Sequence, residues 1–183
     1  MRIISGLLKG RKIPNLYKIE NVSPSSDFLK GVLFNVIGTG IRGKIFCDLY
    51  AGSGSIGFEA LSRGAAFCIF AETSPDLIPI IIKLSKKFDI EEKVKVIKKD
   101  VLKALEKGVL REYKPDYIFI DPPYNLGLCE KTVNEIITHS TGGGSEIIVQ
   151  HDKREALLQD YPPYKLINEK IHGKSALSFY RVL

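Results

Sequence analysis

Asp48-Leu49-Tyr50-Ala51-Gly52-Ser53-Gly54-Ser55-Ile56-Gly57 joins two different hydrophobic periods. The apolar run Lys44 to Tyr50 that leads into it reads as a buried strand, and Ser55 to Arg63 reads as a short helix. Gly52, Gly54 and Gly57 therefore satisfy G-x-G-x-x-G at a strand–turn–helix junction, where glycines let the backbone turn sharply and approach a ligand closely. The same rhythm repeats outward. Strands are predicted at Phe67 to Glu72, Lys93 to Lys98, Asp116 to Ile120 and Glu146 to Gln150. Helices are predicted between them at Asp76 to Phe88, Val101 to Lys107 and Glu130 to His139, with Pro75 and Pro79 blurring the start of the first. Tyr164 to Ile171 and Ala176 to Val182, around Gly173-Lys174, read as a terminal hairpin added antiparallel to the sheet edge. The expected fold is α/β, a Rossmann-like, mostly parallel, doubly wound sheet with an antiparallel C-terminal hairpin.

Residues 1–42 precede this core as a short N-terminal extension, and residues 43–183 form the core of what reads as one domain. Arg2 to Pro14 mixes short apolar pieces with Gly6 and Gly10, as an irregular hairpin or extended arm does. Arg2, Lys9, Arg11, Lys12 and Lys18 crowd the first eighteen residues, which hold no Asp or Glu. With a net charge of +6, this arm points to a polyanionic partner. Ser23-Pro24-Ser25-Ser26-Asp27 reads as a helix N-cap, and Phe28, Leu29, Val32, Leu33, Val36 and Ile37 follow at helical spacing. Gly38-Thr39-Gly40 ends that helix, which is expected to lie across the edge of the core. The chain shows no membrane-spanning run and no signal peptide, so a cytoplasmic protein, most simply a monomer, is expected. Cys47, Cys68 and Cys129 stand far apart, and neither they nor His139, His151 and His172 have metal-ligand spacing, so no metal is expected.

Four carboxylates carry the chemistry. Asp48, near the end of the first strand, would repel a diphosphate but can pair with the ammonium group of S-adenosylmethionine (AdoMet). Glu72 closes the second strand, where an acidic side chain accepts ribose hydroxyls; capping the turn before Ser74-Pro75 is its local alternative. Asp100, after the third strand, suits the adenine amino group, the N-cap of the next helix, or both. Asp121-Pro122-Pro123-Tyr124 follows the apolar run Tyr117-Ile118-Phe119-Ile120, at the strand end where an α/β sheet places its ligands. Two prolines remove two N–H donors and leave a rigid edge of carbonyl acceptors. With the Asp121 carboxylate accepting beside the Pro122 carbonyl, an exocyclic amine can be turned so that its lone pair faces a methyl donor, while Tyr124 stacks on the ring.

In this order the motifs resemble those of the class I AdoMet-dependent methyltransferases, and more narrowly the RsmD-type family. The narrower likeness includes Met1-Arg2-Ile3-Ile4-Ser5-Gly6, Gly10-Arg11-Lys12-Ile13-Pro14, Leu33-Phe34-Asn35 and Glu59-Ala60-Leu61-Ser62-Arg63-Gly64. The resemblance implies a class I methyltransferase fold and methyl transfer from AdoMet to the guanine N2 amine of small-subunit (16S) ribosomal RNA. It implies S-adenosylhomocysteine as product and, as partner, ribosomal RNA in a partly or fully assembled small subunit. Asp48, Ala51, Gly52, Ser53, Gly54, Glu72, Asp100 and Asp121 are then the expected cofactor contacts, and Asp121, Pro122 and Tyr124 the catalytic set. Arg2, Lys9, Arg11, Lys12, Lys30 and Asn35 are the expected RNA contacts. The chain departs from the family pattern at Ser23 to Gly31, where Ser23, Phe28 and Lys30 stand at positions the family fills with arginine. Gln150 stands where the family often has Glu. Other readings of the same residues are a DNA adenine or other amine methyltransferase, an rRNA-binding assembly factor without turnover, and an NAD oxidoreductase. Asp48 and the lack of a substrate domain weigh against the last.

Overall fold

A strand buried on both faces needs apolar side chains in both directions, and the central strands have them: Ile45–Leu49 (β1), Phe67–Ala71 (β2) and Tyr117–Ile120 (β4) are almost continuously buried. The computed structural model describes residues 1–14, 27–123, 126–139, 144–155 and 157–183. The remaining strands are Val94–Ile97 (β3), Glu146–Asp152 (β5), Asp160–Tyr161 (β6), Tyr164–His172 (β7) and Ser175–Val182 (β8). They form one sheet in the order β3-β2-β1-β4-β5-β8-β7-β6. The first five strands are parallel; β8 joins β5 antiparallel and β7 pairs with β8. This is the expected mostly parallel, doubly wound sheet with an antiparallel C-terminal hairpin.

Alternation along the strands divides the core into two layers. Phe46, Phe70, Phe119, Ile148 and Phe179 face one side, in a cluster with residues of the helices Asp27–Ile37 (α1), Ser55–Ser62 (α2) and Ile78–Lys87 (α3). Cys47, Leu49, Ile69, Ile118, Ile120 and Val149 face the other, with Val101–Glu106 (α4), Val109–Tyr113 (α5) and Leu128–His139 (α6). The three cysteines are buried and unpaired. At the lower end of the sheet Asp116 accepts from Ile45 N at 2.8 Å and from Lys44 Nζ at 2.9 Å, tying the start of β1 to the start of β4.

Several elements differ from expectation. α1 does not lie across the sheet edge. Its Phe34 ring stands 6.1 Å from that of Phe46 on β1, and Leu29, Leu33, Phe34 and Ile37 share a cluster with Ile148, Leu177 and Phe179. An amphipathic helix with one buried stripe gains most by covering a sheet face. The N-terminal arm takes the hairpin form of the two expected, and it is docked: Arg2 and Lys12 form an antiparallel bridge, and Ile3 and Ile13 are 1% and 2% exposed. α3 begins at Ile78, two residues later than predicted, with Pro79 in its first turn, where a missing N–H costs nothing. α5 and β6 were not predicted at all. The predicted cap at Ser23 to Ser26 lies outside the described residues.

Candidate active site

Register brings the functional loops to one level. Leu49 is aligned with Ala71 and with Ile120, so Tyr50, Glu72 and Asp121 leave the carboxyl edge together. Backbone bonds knit these exits: Ala51 N donates to Ala71 O at 3.0 Å, Glu72 N to Ile97 O at 3.1 Å, and Asp121 N lies 3.5 Å from Leu49 O.

The three glycines of the turn meet different demands. Gly52 has φ +57°, and a Cβ placed on it would meet nothing within 4 Å: the backbone here faces open space. Gly54 has φ +77° and is the N-cap of α2, a conformation that costs other residues about 1 kcal/mol or more. Gly57 has no space for a side chain, since a Cβ would fall 2.3 Å from Phe70 Cε1 and 2.6 Å from Cys68 Sγ. The turn is therefore a cradle over Gly52, held by close packing at Gly57.

Asp48 lies beneath this turn, 2% exposed, and its Oδ2 accepts from Gly57 N at 2.9 Å. Burial drives its carboxyl well above the usual carboxylate range, the Gly57 N–H opposes this, and the negative charges of Asp121 and Glu72 add to the rise. Glu72 braces the cradle: Oε2 accepts from Gly52 N at 2.8 Å, and Oε1 from Thr73 N at 2.7 Å and Ser74 N at 2.8 Å. The expected capping role is thus present, and Oε2 keeps a lone pair for a further donor. Asp100 is the N-cap of α4, accepting from Lys103 N at 3.1 Å. Asp121 is half-buried and Pro122 buried. Tyr124 lies outside the described residues.

Electrostatically, this edge is the opposite of the molecule around it. Asp121 and Glu72 both act on Asp48, and Asp100 acts on the Tyr50 phenol. Converging carboxylates repel a diphosphate and attract a cationic group.

Two supports of the site are not among the residues the sequence singles out as its contacts. Tyr50 adopts φ +63°, unusual for a residue with a side chain, and its hydroxyl lies 2.8 Å from the Thr132 hydroxyl on α6. In sequence Tyr50 reads only as the last residue of a strand. Glu59 on α2 is fully buried, accepting from Ile4 N at 2.8 Å, Ser5 N at 3.1 Å and Arg63 Nε at 2.7 Å. Ser62 adds to this anchor, its backbone carbonyl accepting from Leu7 N at 2.8 Å and its hydroxyl from Leu8 N at 2.9 Å. The hairpin is fastened to the helix that opens from the glycine turn.

Of the expected RNA contacts, Arg2, Lys9, Arg11, Lys12 and Asn35 are exposed. Lys30 is not. It is 0% exposed, donating from Nζ to Arg2 O at 2.7 Å and pairing with Asp27 at 2.9 Å, so it joins α1 to the hairpin instead of facing solvent. A buried ammonium needs such partners. Phe28, 52% exposed, stacks on His172 of β7 with centroids 3.8 Å apart.

Comparison with known proteins supplies the family. The family model described as Conserved hypothetical protein 95 matches residues 1–181. The chain belongs to the RsmD-type methyltransferase family. A relative within it, Ribosomal RNA small subunit methyltransferase D of Buchnera aphidicola subsp. Acyrthosiphon pisum, is 35% identical over 157 residues, covering 85% of this chain and 80% of the relative. The putative rRNA methyltransferase YlbH of Bacillus subtilis is 29% identical, covering 99% of this chain and 98% of its own. The solved structure of the putative methyltransferase yhhF from Escherichia coli superposes with a TM-score of 0.85 at 27% identity, covering 100% of this chain and 97% of that one. The RsmD-type core thus extends through the docked hairpin as well as the sheet.

Proposed function

We propose that this RsmD-type protein transfers a methyl group from AdoMet to the exocyclic N2 amine of a guanine in 16S ribosomal RNA. The observation that carries the reading is the convergence of Asp48, Glu72 and Asp121 around an open glycine cradle, at the edge where Pro122 and Pro123 present only acceptors. The names of the relatives, which are ribosomal RNA methyltransferases, support the substrate class.

The residues fit this cofactor better than a dinucleotide. Gly52, with its open face, receives the amino-acid portion, flanked by Ala51, Ser53 and Gly54. With AdoMet bound, Asp48 would pair with the ammonium, Glu72 would accept a ribose hydroxyl on Oε2, and Asp100 would accept from the adenine amino group, each already positioned by a backbone N–H. AdoMet supplies an electrophilic methyl group on a sulfonium. The protein's own task is orientation. An aromatic amine has its lone pair delocalised into the ring. When the Asp121 carboxylate and the Pro122 carbonyl accept its two N–H groups, the lone pair is freed and aimed; orientation of this kind contributes several kcal/mol in favourable cases. Tyr124, next in the chain, is assigned the stacking of the base, worth about 1–3 kcal/mol. No strong base is needed, because the methylated amine is transiently cationic and gives up its proton readily.

Tritiated-methyl transfer onto small ribosomal subunits lacking the modification, followed by nucleoside analysis, tests the reading. Label in N2-methylguanosine is expected. Label only in DNA adenine, or AdoMet binding without transfer to any RNA, overturns it. Asp121→Ala is expected to lower transfer at least about a hundredfold while AdoMet affinity stays within a few-fold.

A further inference from the structure

Between the N-terminal hairpin and α3 runs a groove of about 1000 Å³, far from the glycine cradle in chemical character. Its floor is apolar, with Ile13 2% and Leu84 4% exposed. Its rim is cationic: Arg2 and Lys12 stand on the hairpin side, Lys83 and Lys87 on the helix side. We propose that this groove binds the sugar–phosphate backbone of single-stranded RNA leading to the target base, an assignment that rests on the function proposed above.

Like charges are set close together on both sides of the groove, at a small cost per pair. Arg2 and Lys12 lie directly opposite in the antiparallel bridge, where like charges are unfavourable. Lys83 and Lys87 lie one turn apart on one face of α3, where like charges are unfavourable again. α3, Ile-Pro-Ile-Ile-Ile-Lys-Leu-Ser-Lys-Lys, contains no acidic residue to relieve them. Among the described residues Lys12, Lys83 and Lys87 form no ion pair. The one carboxylate on the rim, Asp27, is already engaged by the buried Lys30 ammonium at 2.9 Å and lies 3.8 Å from Arg2 Nε. Two like-charged pairs facing each other across a trough match a ligand with repeated negative charges. The apolar floor between them suits ribose carbons.

The groove is also preformed and aimed. The hairpin side cannot swing away, because Glu59 and Ser62 hold its backbone to α2. The helix side starts at Ile78, six residues after Glu72, and α3 spans about 15 Å, room for a few nucleotides. A strand lying along α3 toward its N-terminus is led to the carboxyl edge. Shape and length favour a polymer over a compact metabolite.

The test is binding of a labelled single-stranded RNA oligonucleotide of small-subunit sequence, over a range of salt, by wild type, Lys83→Glu/Lys87→Glu, and a control with the same charge change on β7, Lys165→Glu/Lys170→Glu. The groove variant is expected to bind about tenfold or more weaker than the control, with the salt slope of log K reduced by about 1–2, one phosphate contact per lysine. AdoMet affinity stays within twofold. In transfer assays its KM for RNA rises while kcat changes less than threefold. Equal affinity and equal slope in the two variants overturns the groove assignment. So does a defect seen only on assembled subunits and not on naked RNA, which would mean that the groove holds an acidic peptide. Failure of the wild type to transfer methyl overturns the function proposed above, whereas the binding comparison still decides the groove.

Discussion

Asp48 answers to two opposing requirements, and they can be separated by one atom. Its carboxylate holds Gly57 N–H, yet burial raises its pKa well above the ordinary value of 3.8. A carboxyl group whose folded pKa exceeds its unfolded one favours the folded state while protonated. Its contribution is therefore lost as pH rises from about 4 through the raised value. Asp48→Asn keeps an oxygen for Gly57 and removes the charge. Its melting temperature at neutral pH is expected to equal or exceed that of the wild type, the two curves converging near pH 4, while AdoMet affinity falls about tenfold or more, near the 1.5–3 kcal/mol of a charge-assisted hydrogen bond. A difference in melting temperature that does not vary with pH contradicts this account. Gly57 has no such latitude. Gly57→Ala sets a methyl 2.3 Å from Phe70 Cε1 and is expected to cost about 1–3 kcal/mol, read from denaturant midpoints, because the helix must lift from β2. At this scale the sequence conveyed identity better than environment. Gly54 and Gly57 were legible because a strand–turn–helix junction restricts them. Lys30 was misread because it stands where the family has an arginine and so reads as a cation facing RNA, whereas its burial depends on Arg2 O, far away in the chain.

The hairpin is held to the core by Glu59 and Ser62 of α2, by Lys30 of α1 and by its own buried Ile3 and Ile13. Glu59→Ala removes the acceptor shared by Ile4 N, Ser5 N and Arg63 Nε. Leaving such buried donors without a partner is expected to lower stability by about 3 kcal/mol. Hydrogen exchange should speed up at Ile4 and Ser5 ahead of the β1 amides, and RNA affinity should fall with AdoMet affinity within twofold. Uniform loss of protection across the sheet would show that Glu59 supports the whole core and not the hairpin. The larger elements were legible because period alone distinguishes them: β1, β2 and β4 as continuous apolar runs, α1 and α6 as striped ones. The five residues of α5 and the two of β6 complete no period and left no pattern. The stripe on α1 marks an apolar face without naming the surface that covers it, hence its misplacement at the sheet edge. In the sequence Glu59 stands only as part of the Glu59 to Gly64 stretch that carries the family likeness, with no role attached. Only its partners more than fifty positions away reveal it as an anchor.

Across the whole molecule, charge is sorted by task. The net charge is +6 and the pI about 9.1, yet Asp48, Glu72, Asp100 and Asp121 gather at the carboxyl edge while Arg2, Lys9, Arg11 and Lys12 are exposed on the hairpin. At physiological ionic strength the screening length is about 8 Å, short enough for a cationic surface and an anionic edge to coexist on one molecule, the first proposed for RNA and the second for AdoMet. The two ligands should then respond very unequally to salt. RNA held by roughly five or six lysine and arginine contacts releases condensed counterions, giving a slope of log K against log salt near −4 for a single strand. Between about 50 and 200 mM salt that is a loss of over two orders of magnitude. AdoMet, zwitterionic at its amino acid and met by buried or braced carboxylates, should change by less than about twofold over the same range. Titration of both ligands by fluorescence across that range checks the division. An RNA slope near zero would reduce the hairpin cations to a solvated surface, and an AdoMet slope as steep as that of RNA would mean that the carboxylates at the strand ends do not hold the cofactor.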